Sequence, residues 1–385
     1  MEEKQAMKIC EIDTNNRRQV RQFLDLPFRL YANIPQWVPP LQMDASRMLD
    51  HSRHPFYRHS HASFWLALDD QGQAVGRLAV LDNHNYNQFN AERTAFFYLF
   101  ESQYDFGASQ ALFTAGFNWA SSRGLDRMIG PKGFTTLDGI GMLVKGFEHR
   151  PAFGLPYNPA FYPELVEAAG FVSSGELVSG YIDRQFQFPE KLLQVSELLQ
   201  KRRGLYVARY RTRKDLRALV PMLKEVYNGS LDGTTGNVPL TDEEIETLAD
   251  QMLWFADPRL IKIVMKREEA GDHPVGFLFA YPDISAGLQR TRGQLFPFGW
   301  LLLLLELRRT KWININGAGM MEGYRGLGGT ALLFTEMYKS IKDEHYLYGD
   351  IVQIGTENDK MLRELRDLGI DFYKTHRLYQ RTLIG

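Results

Sequence analysis

The feature that most constrains this chain is that it repeats itself. Val75-Gly76-Arg77-Leu78 recurs as Val275-Gly276-Phe277-Leu278, an offset of 200 residues, and both copies sit in alternating apolar stretches that read as strands. Upstream, the helical pattern Val20, Phe23, Leu24, Phe28, Tyr31 returns as Leu216, Leu219, Val220, Lys224, Tyr227. Downstream, Asn158 to Phe171 is matched by Asn358 to Ile370. Between these anchors each half reads as a strand (Ala95 to Phe100; Trp312 to Asn316), a helix (around Ala111 to Phe113; around Ala331 to Leu333) and another strand. A tandem pair of α/β lobes follows, and 385 residues are more than one core ordinarily serves. The boundaries are expected at 1–185 and 204–385. A linker helix over 186–203, opened by Pro189 and carrying Leu192, Leu193, Val195, Leu198 and Leu199, should pack between the lobes. Each half has its own insertion, Gly133 to Tyr157 in the first and Ile284 to Arg309 in the second.

Charge and cysteine content narrow the function classes. With 45 Lys and Arg against 46 Asp and Glu the net charge is −1, so nothing draws the chain to phosphate backbones and no nucleic-acid partner is expected. The single cysteine, Cys10, rules out an internal disulfide, and Met1 to Lys8 has no signal-peptide core, so a cytoplasmic location is expected. The apolar run Leu295 to Leu305 has half the ~20 residues that cross a bilayer.

Six glycines (Gly317, Gly319, Gly323, Gly326, Gly328, Gly329) fall within thirteen residues between a strand and a helix beginning near Thr330. Glycine is entropically costly, so the cluster needs a reason. A loop of this kind bares backbone N–H groups at a helix N-terminus, where the helix dipole favours an anion, and Arg325 adds charge beside it. The Walker motif is excluded because no Gly-Lys-Ser/Thr follows. A Rossmann fingerprint is set aside because the loop falls late in the chain.

The segment Tyr324-Arg325-Gly326-Leu327-Gly328-Gly329-Thr330-Ala331-Leu332-Leu333 resembles the pyrophosphate loop of GNAT-type acyl-CoA N-acyltransferases. Thr330 stands where that family has Gly or Ala, and the family's common general-acid tyrosine falls at Leu365. Other segments resemble a bacterial branch of tandem GNAT-like proteins that includes bacterial ceramide synthases. They are Asn33 to Pro40, His54 to Tyr57, Asn83 to Asn85, Phe97 to Glu101, Gly130 to Phe134 and Pro156 to Tyr162. The resemblance implies two GNAT-like lobes, each a mixed twisted sheet flanked by helices. It also implies acyl transfer from acyl-CoA or acetyl-CoA, or from an acyl carrier protein, to an amine acceptor, with the second lobe holding the donor through Arg325, Gly326, Gly328, Gly329 and Thr330.

Aminolysis of a thioester needs a deprotonated amine, donors for the oxyanion and a seat for the carrier's phosphates. Gly317 to Gly329 can supply both sets of donors. For the base, the nearest carboxylates are Glu322 and Glu357, with Glu357 and Asn358 preferred at a strand-to-helix turn. The alternative for each glutamate is a solvated or helix-capping role. Tyr348, Tyr373 and His376 are further proton donors near the same end. His51, His54, His59, His61 and His84 crowd one stretch, but Pro55 and the aromatics around them suggest a packed loop lining the cleft, so no metal site is expected. The basic run Arg202 to Lys214 reads as a solvated face. In the first half, Gln103-Tyr104-Asp105-Phe106-Gly107 puts an acid where a phosphate site wants none, so that lobe should be scaffold or acceptor side. Leu295 to Leu305 is expected either to line a long-chain channel, to touch the membrane peripherally, or to be buried all round as core. Beside a lipid-amine N-acyltransferase stand a small-amine acetyltransferase and a degenerate ligand-binding pair.

Overall fold

The computed structural model describes residues 7–135, 138–230 and 237–383; in the helix after Pro189 the side chains of Leu192, Val195 and Leu199 lie outside the described set. The first half runs β1 (Lys8–Glu11), α1 (Arg17–Leu30), α2 (Gln42–Met48), β2 (His61–Leu68), β3 (Ala74–Asp82), α3 (His84–Asn90), β4 (Thr94–Ser102), α4 (Phe106–Ser122), β5 (Arg127–Gly130), β6 (Met142–Lys145), α5 (Tyr162–Ala168) and β7 (Val172–Ile182). The second half runs α6 (Glu190–Arg203), β8 (Leu205–Ala208), α7 (Arg213–Ala218), α8 (Val220–Ser230), α9 (Asp242–Leu253), β9 (Ile261–Lys266), β10 (His273–Pro282), α10 (Ser285–Thr291), α11 (Gly299–Arg309), β11 (Trp312–Met320), α12 (Gly329–Asp343), β12 (Tyr348–Gly355), α13 (Asp359–Asp367) and β13 (Asp371–Thr382).

The repeat holds to the level of strand register. Gly76 faces Ser102 as Gly276 faces Met320, and in both halves β4 and β11 then lose step with their partners. Leu99 and Phe100 lie opposite Leu78 alone, and Asn316 and Gly317 opposite Phe279 alone. These are bulges, two residues against one. The positive φ falls on Leu99 (50°) in one half and Gly317 (88°) in the other, the same position of the repeat. Beyond the bulge the parallel pairs β4–β5 and β11–β12 stop, the second after Ile315 and Ile351.

Alternation along each strand builds a core on both sheet faces. On β3, Val75, Leu78 and Val80 face α4, while Ala74, Ala79 and Leu81 face Phe23 and Leu26 of α1. On β10, Val275 and Leu278 pack with Leu332 and Leu333 of α12, and Phe277 packs with Val226 of α8.

The two sheets are one. The order is β1-β2-β3-β4-β5-β13-β7-β12-β11-β10-β9-β8, with β6 added on β13. The last strand of the chain therefore sits beside β5 of the first half, and the last strand of the first half sits beside β12 of the second. Each half closes the exposed edge of the other, and β7 and β13 pair antiparallel at the centre. Across β7 a buried polar knot joins β13 to β12: Lys374 Nζ lies 2.6 Å and Tyr373 Oη 2.7 Å from the same oxygen of Asp350, whose carboxyl is raised above its ordinary range by burial. The linker helix does not stand between the lobes as expected. Helix α6 lies on α12 and β8, both in the second half, because in its approach Phe188 stacks on Tyr338 of α12 and Phe186 meets the same ring edge-on.

Candidate functional site

Strand β11 leads through an eight-residue loop into α12, whose N-cap is Gly328 at φ 92° with no side chain capping the first turn. A β-carbon on Gly329 would fall 2.4 Å from Met320 Cε, so a larger residue there would have to displace the end of that buried methionine. The first N–H groups of α12 thus lack side-chain acceptors, the condition for anion binding. Around them, Lys360 Nζ comes to 4.0 Å from where a β-carbon on Gly326 would be, and Arg203 reaches the carbonyl of Leu327 at 3.5 Å. Arg325 is exposed but folds back on the loop. Its Nε donates to the carbonyl of Met320 (3.2 Å) and its Nη2 to that of Ser230 (2.8 Å), so its guanidinium braces the loop against the end of α8. At the strand end, Gly317 and Ala318 are exposed past the last β11–β12 pair, leaving a cleft between the two strands.

The same place in the first half is closed twice over. Its loop is three residues long, and Asp105 caps α4 by accepting from Ala108 N at 3.1 Å, so the dipole site holds the chain's own carboxylate. The strand gap is taken up by the start of the inserted segment, where Lys132 N donates to Phe97 O (3.0 Å), and Gly141 N returns to Pro131 O (2.8 Å).

Between these two ends lies a cavity of about 340 Å³ that starts at Asn316, beside the β11 bulge, and runs to Tyr31, Arg77 and Glu101 in the first half. A second cavity of about 500 Å³ shares Pro27, Met48, Arg77, Tyr98 and Leu99 with it and extends to Gln294. At the second-half end Asn316 Nδ2 donates to Tyr281 Oη at 3.0 Å. At the first-half end Glu101 accepts from the hydroxyls of Tyr31 (2.6 Å) and Tyr162 (2.8 Å), with Arg77 at 3.6 Å. Burial raises the Glu101 carboxyl against the opposing pull of Arg77. On the wall between stand Asp44, Asp138 and His54. Burial pushes Asp138 up to about 6 and His54 down to about 4, so this histidine is neutral near pH 7.

The residues singled out in the sequence divide sharply. The glycines and Thr330 do surround one bare helix end. Asn358 is the N-cap of α13, accepting from Met361 N at 3.2 Å, and Glu357 and Glu322 are exposed; none of the three borders either cavity. Leu365 is buried in the second-half core, so no proton donor stands at that position. His376 is buried on the carbonyl of Pro156 and held down to about 4 by desolvation; Tyr373 belongs to the Asp350 knot. Tyr348 stacks on Trp312. Of the five clustered histidines only His54 reaches the cavity. His59 turns to Glu244, His84 to Asp82, and His51 stacks on Tyr57. Arg202, Arg203, Arg209, Arg211, Arg213 and Lys214 are exposed.

Leu295 to Leu305 is not core all round. Leu303 alone is fully buried, against Leu41, Ile284 and Leu288. Leu301, Leu302 and Leu304 are exposed, as are Trp300, Phe298 (70%) and Phe296 (75%). The segment borders neither cavity, but its neighbour Gln294 does. Among the described residues no helix is long and apolar enough to cross a membrane.

Asp44, Asp138, Glu101 and Tyr31 were not among the site residues expected from the sequence. Nothing local marks them; what unites them is a cavity formed by parts of the chain far apart in sequence.

No family model matches the chain. It is 25% identical over 375 residues to Protein YghO of Escherichia coli (96% of this chain, 94% of that one). It is 26% identical over 377 residues to a bacterial ceramide synthase of Caulobacter vibrioides (95% of each). Among solved structures it superposes on a tandem GNAT protein from the clavulanic acid biosynthesis pathway with TM-score 0.55 and 13% identity, covering 98% of this chain and 99% of that one. A GCN5-related N-acetyltransferase from Sphaerobacter thermophilus gives TM-score 0.51 and 13% identity, over 99% and 97%. The fold is thus the tandem GNAT fold along the whole chain.

Proposed function

We propose that the protein is an N-acyltransferase that takes an acyl group from a CoA or carrier-protein thioester held by the second lobe and passes it to a lipid-like amine held between the lobes. The observation that carries this reading is the coincidence of three features at one place: the uncapped start of α12, the open end of β11 and the mouth of the cavity at Asn316. The pyrophosphate would lie on the N–H groups of Gly328 to Thr330, with Lys360 and Arg203 nearby. Pantetheine would follow the cleft past Gly317, whose bulge leaves backbone without a ladder partner to meet the thioester oxygen. Arg325 would act by holding the loop rather than by touching phosphate.

A long-chain acceptor is supported by the apolar walls of the cavities, by the exposed aromatics beside their Gln294 end, and by the name of the Caulobacter relative. Phe296, Phe298 and Trp300, with Arg308 and Arg309 at the far end of α11, fit peripheral contact with an anionic lipid surface from which such an amine would enter. The test is thiol release from acetyl- to palmitoyl-CoA against short and long amines. Rates that climb with amine length support the reading, and a preference for acetyl-CoA with small polar amines points to an acetyltransferase instead. A second reading, ligand binding without turnover, is favoured by Leu365, which leaves the usual acid position apolar. Tight binding of CoA thioesters without thiol release under any amine would establish it.

A further inference from the structure

We propose that Asp138 is the base that takes the proton from the acceptor's ammonium, and that Asp44 completes the anionic pocket that draws that ammonium in. This inference rests on the N-acyltransferase reading and adds the residue that would make the amine nucleophilic.

Three observations carry it. First, the inserted segment whose start takes up the first half's strand gap also delivers Asp138 to the cavity wall, so one insertion closes that gap and furnishes the other lobe's acceptor site. Second, the second lobe holds that segment. Gln353, at a bulge of β12 (φ 49°), accepts from Ile140 N at 3.0 Å and donates to Ile140 O, two residues from Asp138. A β-carbon on Gly133 would strike the Asp138 side chain at 2.5 Å, so the carboxylate is confined by its own turn, whose Thr135 N donates to it at 2.8 Å. Third, the two buried carboxylates in the wall are held differently. Glu101 is engaged by Tyr31, Tyr162 and the cationic Arg77 and suits a fixed polar anchor, whereas Asp138 accepts from neutral donors, the backbone of Phe134 and Thr135 and the Thr135 side chain, beside the like charge of Asp44.

The charged and titratable groups around Asp138 are Asp44 of α2, whose charge adds to the upward shift, Tyr98 of β4, the neutral His54, and the Arg77–Glu101 pair farther along the cavity. Two carboxylates facing an apolar cavity favour a cation, and a group ionising near pH 6 is an effective base close to neutrality. In the reaction Asp138 accepts one proton from R–NH3+. The freed lone pair attacks the thioester carbonyl carbon, forming C–N. The tetrahedral intermediate expels sulfur, breaking C–S, and the nitrogen's surplus proton leaves with the thiol. Asp138 then returns its proton to solvent.

Asp138→Asn should lower kcat/KM roughly 100-fold or more while leaving CoA-thioester affinity, measured by titration calorimetry, unchanged. It should also raise Tm at pH 7.5, since a carboxylate whose folded pKa exceeds its unfolded value destabilises the fold once ionised; a merely structural Asp138 would lower Tm. Wild-type kcat/KM should fall on acidification with a midpoint near 6, and Asp44→Asn should weaken amine binding with a smaller loss of rate. Wild-type kcat/KM for Asp138→Asn, or a flat wild-type profile from pH 5 to 8, overturns the inference while leaving the enzyme reading standing. A wild-type protein that releases no thiol with any amine overturns both.

Discussion

Helices α4 and α12 occupy the same position of the repeat and end in opposite chemistry. Each follows a bulged strand, each packs across four strands of its half, α4 on β1 to β4 and α12 on β8 to β11, and each starts where the sheet opens. One start is sealed by Asp105 over a three-residue loop; the other is left bare by Gly328 over an eight-residue loop. At the bulge, Leu99 adopts a left-handed backbone that glycine would adopt freely, while Gly317 takes it without cost. A duplicated framework thus tolerates a capped helix start at one copy and a bare one at the other, because neither the loop nor the cap is needed to align the strands. What the first half keeps is surface facing the shared cavity, and it contributes Tyr31, Arg77, Glu101 and Asp138 to it.

The largest expected effect tests whether the halves are separable at all. Residues 1–185 and 204–385 expressed alone should each fail to give a cooperative unfolding transition by circular dichroism, because each would lose the strand that covers its central edge. A soluble, cooperatively folding half with dispersed amide signals would show the exchanged strands to be dispensable. Next comes the contrast between the insertions. Leu303→Ala should cost ~2–5 kcal/mol by chemical denaturation, whereas Leu302→Ala, on the exposed face of the same helix, should change stability by about 0.5 kcal/mol or less. Equal losses would mean that the outer face is covered in solution.

The difference between the helix starts predicts a smaller, specific effect on binding. Gly328→Val, which forces a β-branched residue to φ 92°, should weaken CoA-thioester binding by roughly two orders of magnitude, about 2.7 kcal/mol by titration calorimetry. Unchanged affinity would remove the donor site from α12. Smallest is Asp105→Ala. Loss of the cap should cost ~1 kcal/mol and leave donor affinity and stoichiometry untouched; a second equivalent of CoA bound would mean that the cap alone had kept the first half from the same chemistry.

The repeat, the glycine loop and the acid at Asp105 were legible in the chain because each is a local pattern. Strand periodicity, glycine at positive φ and a carboxylate three residues before a helical N–H all act over a few residues, and the register of Gly76 and Gly276 followed from them. The catalytic assignment was not legible in the same way. Glu357 and Asn358 stand at a suggestive turn, yet Asn358 caps a helix and Glu357 faces solvent. Asp138 carries no sequence signal, being one acid in an irregular insertion. Likewise five consecutive leucines read equally as core, channel or outer face until α10 and the segment around Leu41 cover Leu303 and leave its neighbours open.

By itself, then, the sequence determined two copies of one α/β unit and which copy could start a helix without a cap, since those depend on backbone conformation and on neighbours a turn or a strand away. The tertiary structure decided that the last strands change places, that the linker helix stays with the second half, and that Asp138 meets Asp44 and Glu101 around one cavity. These outcomes depend on contacts between residues a hundred or more positions apart, where hydrophobic burial rewards any apolar surface alike and only the packed whole selects which surfaces meet.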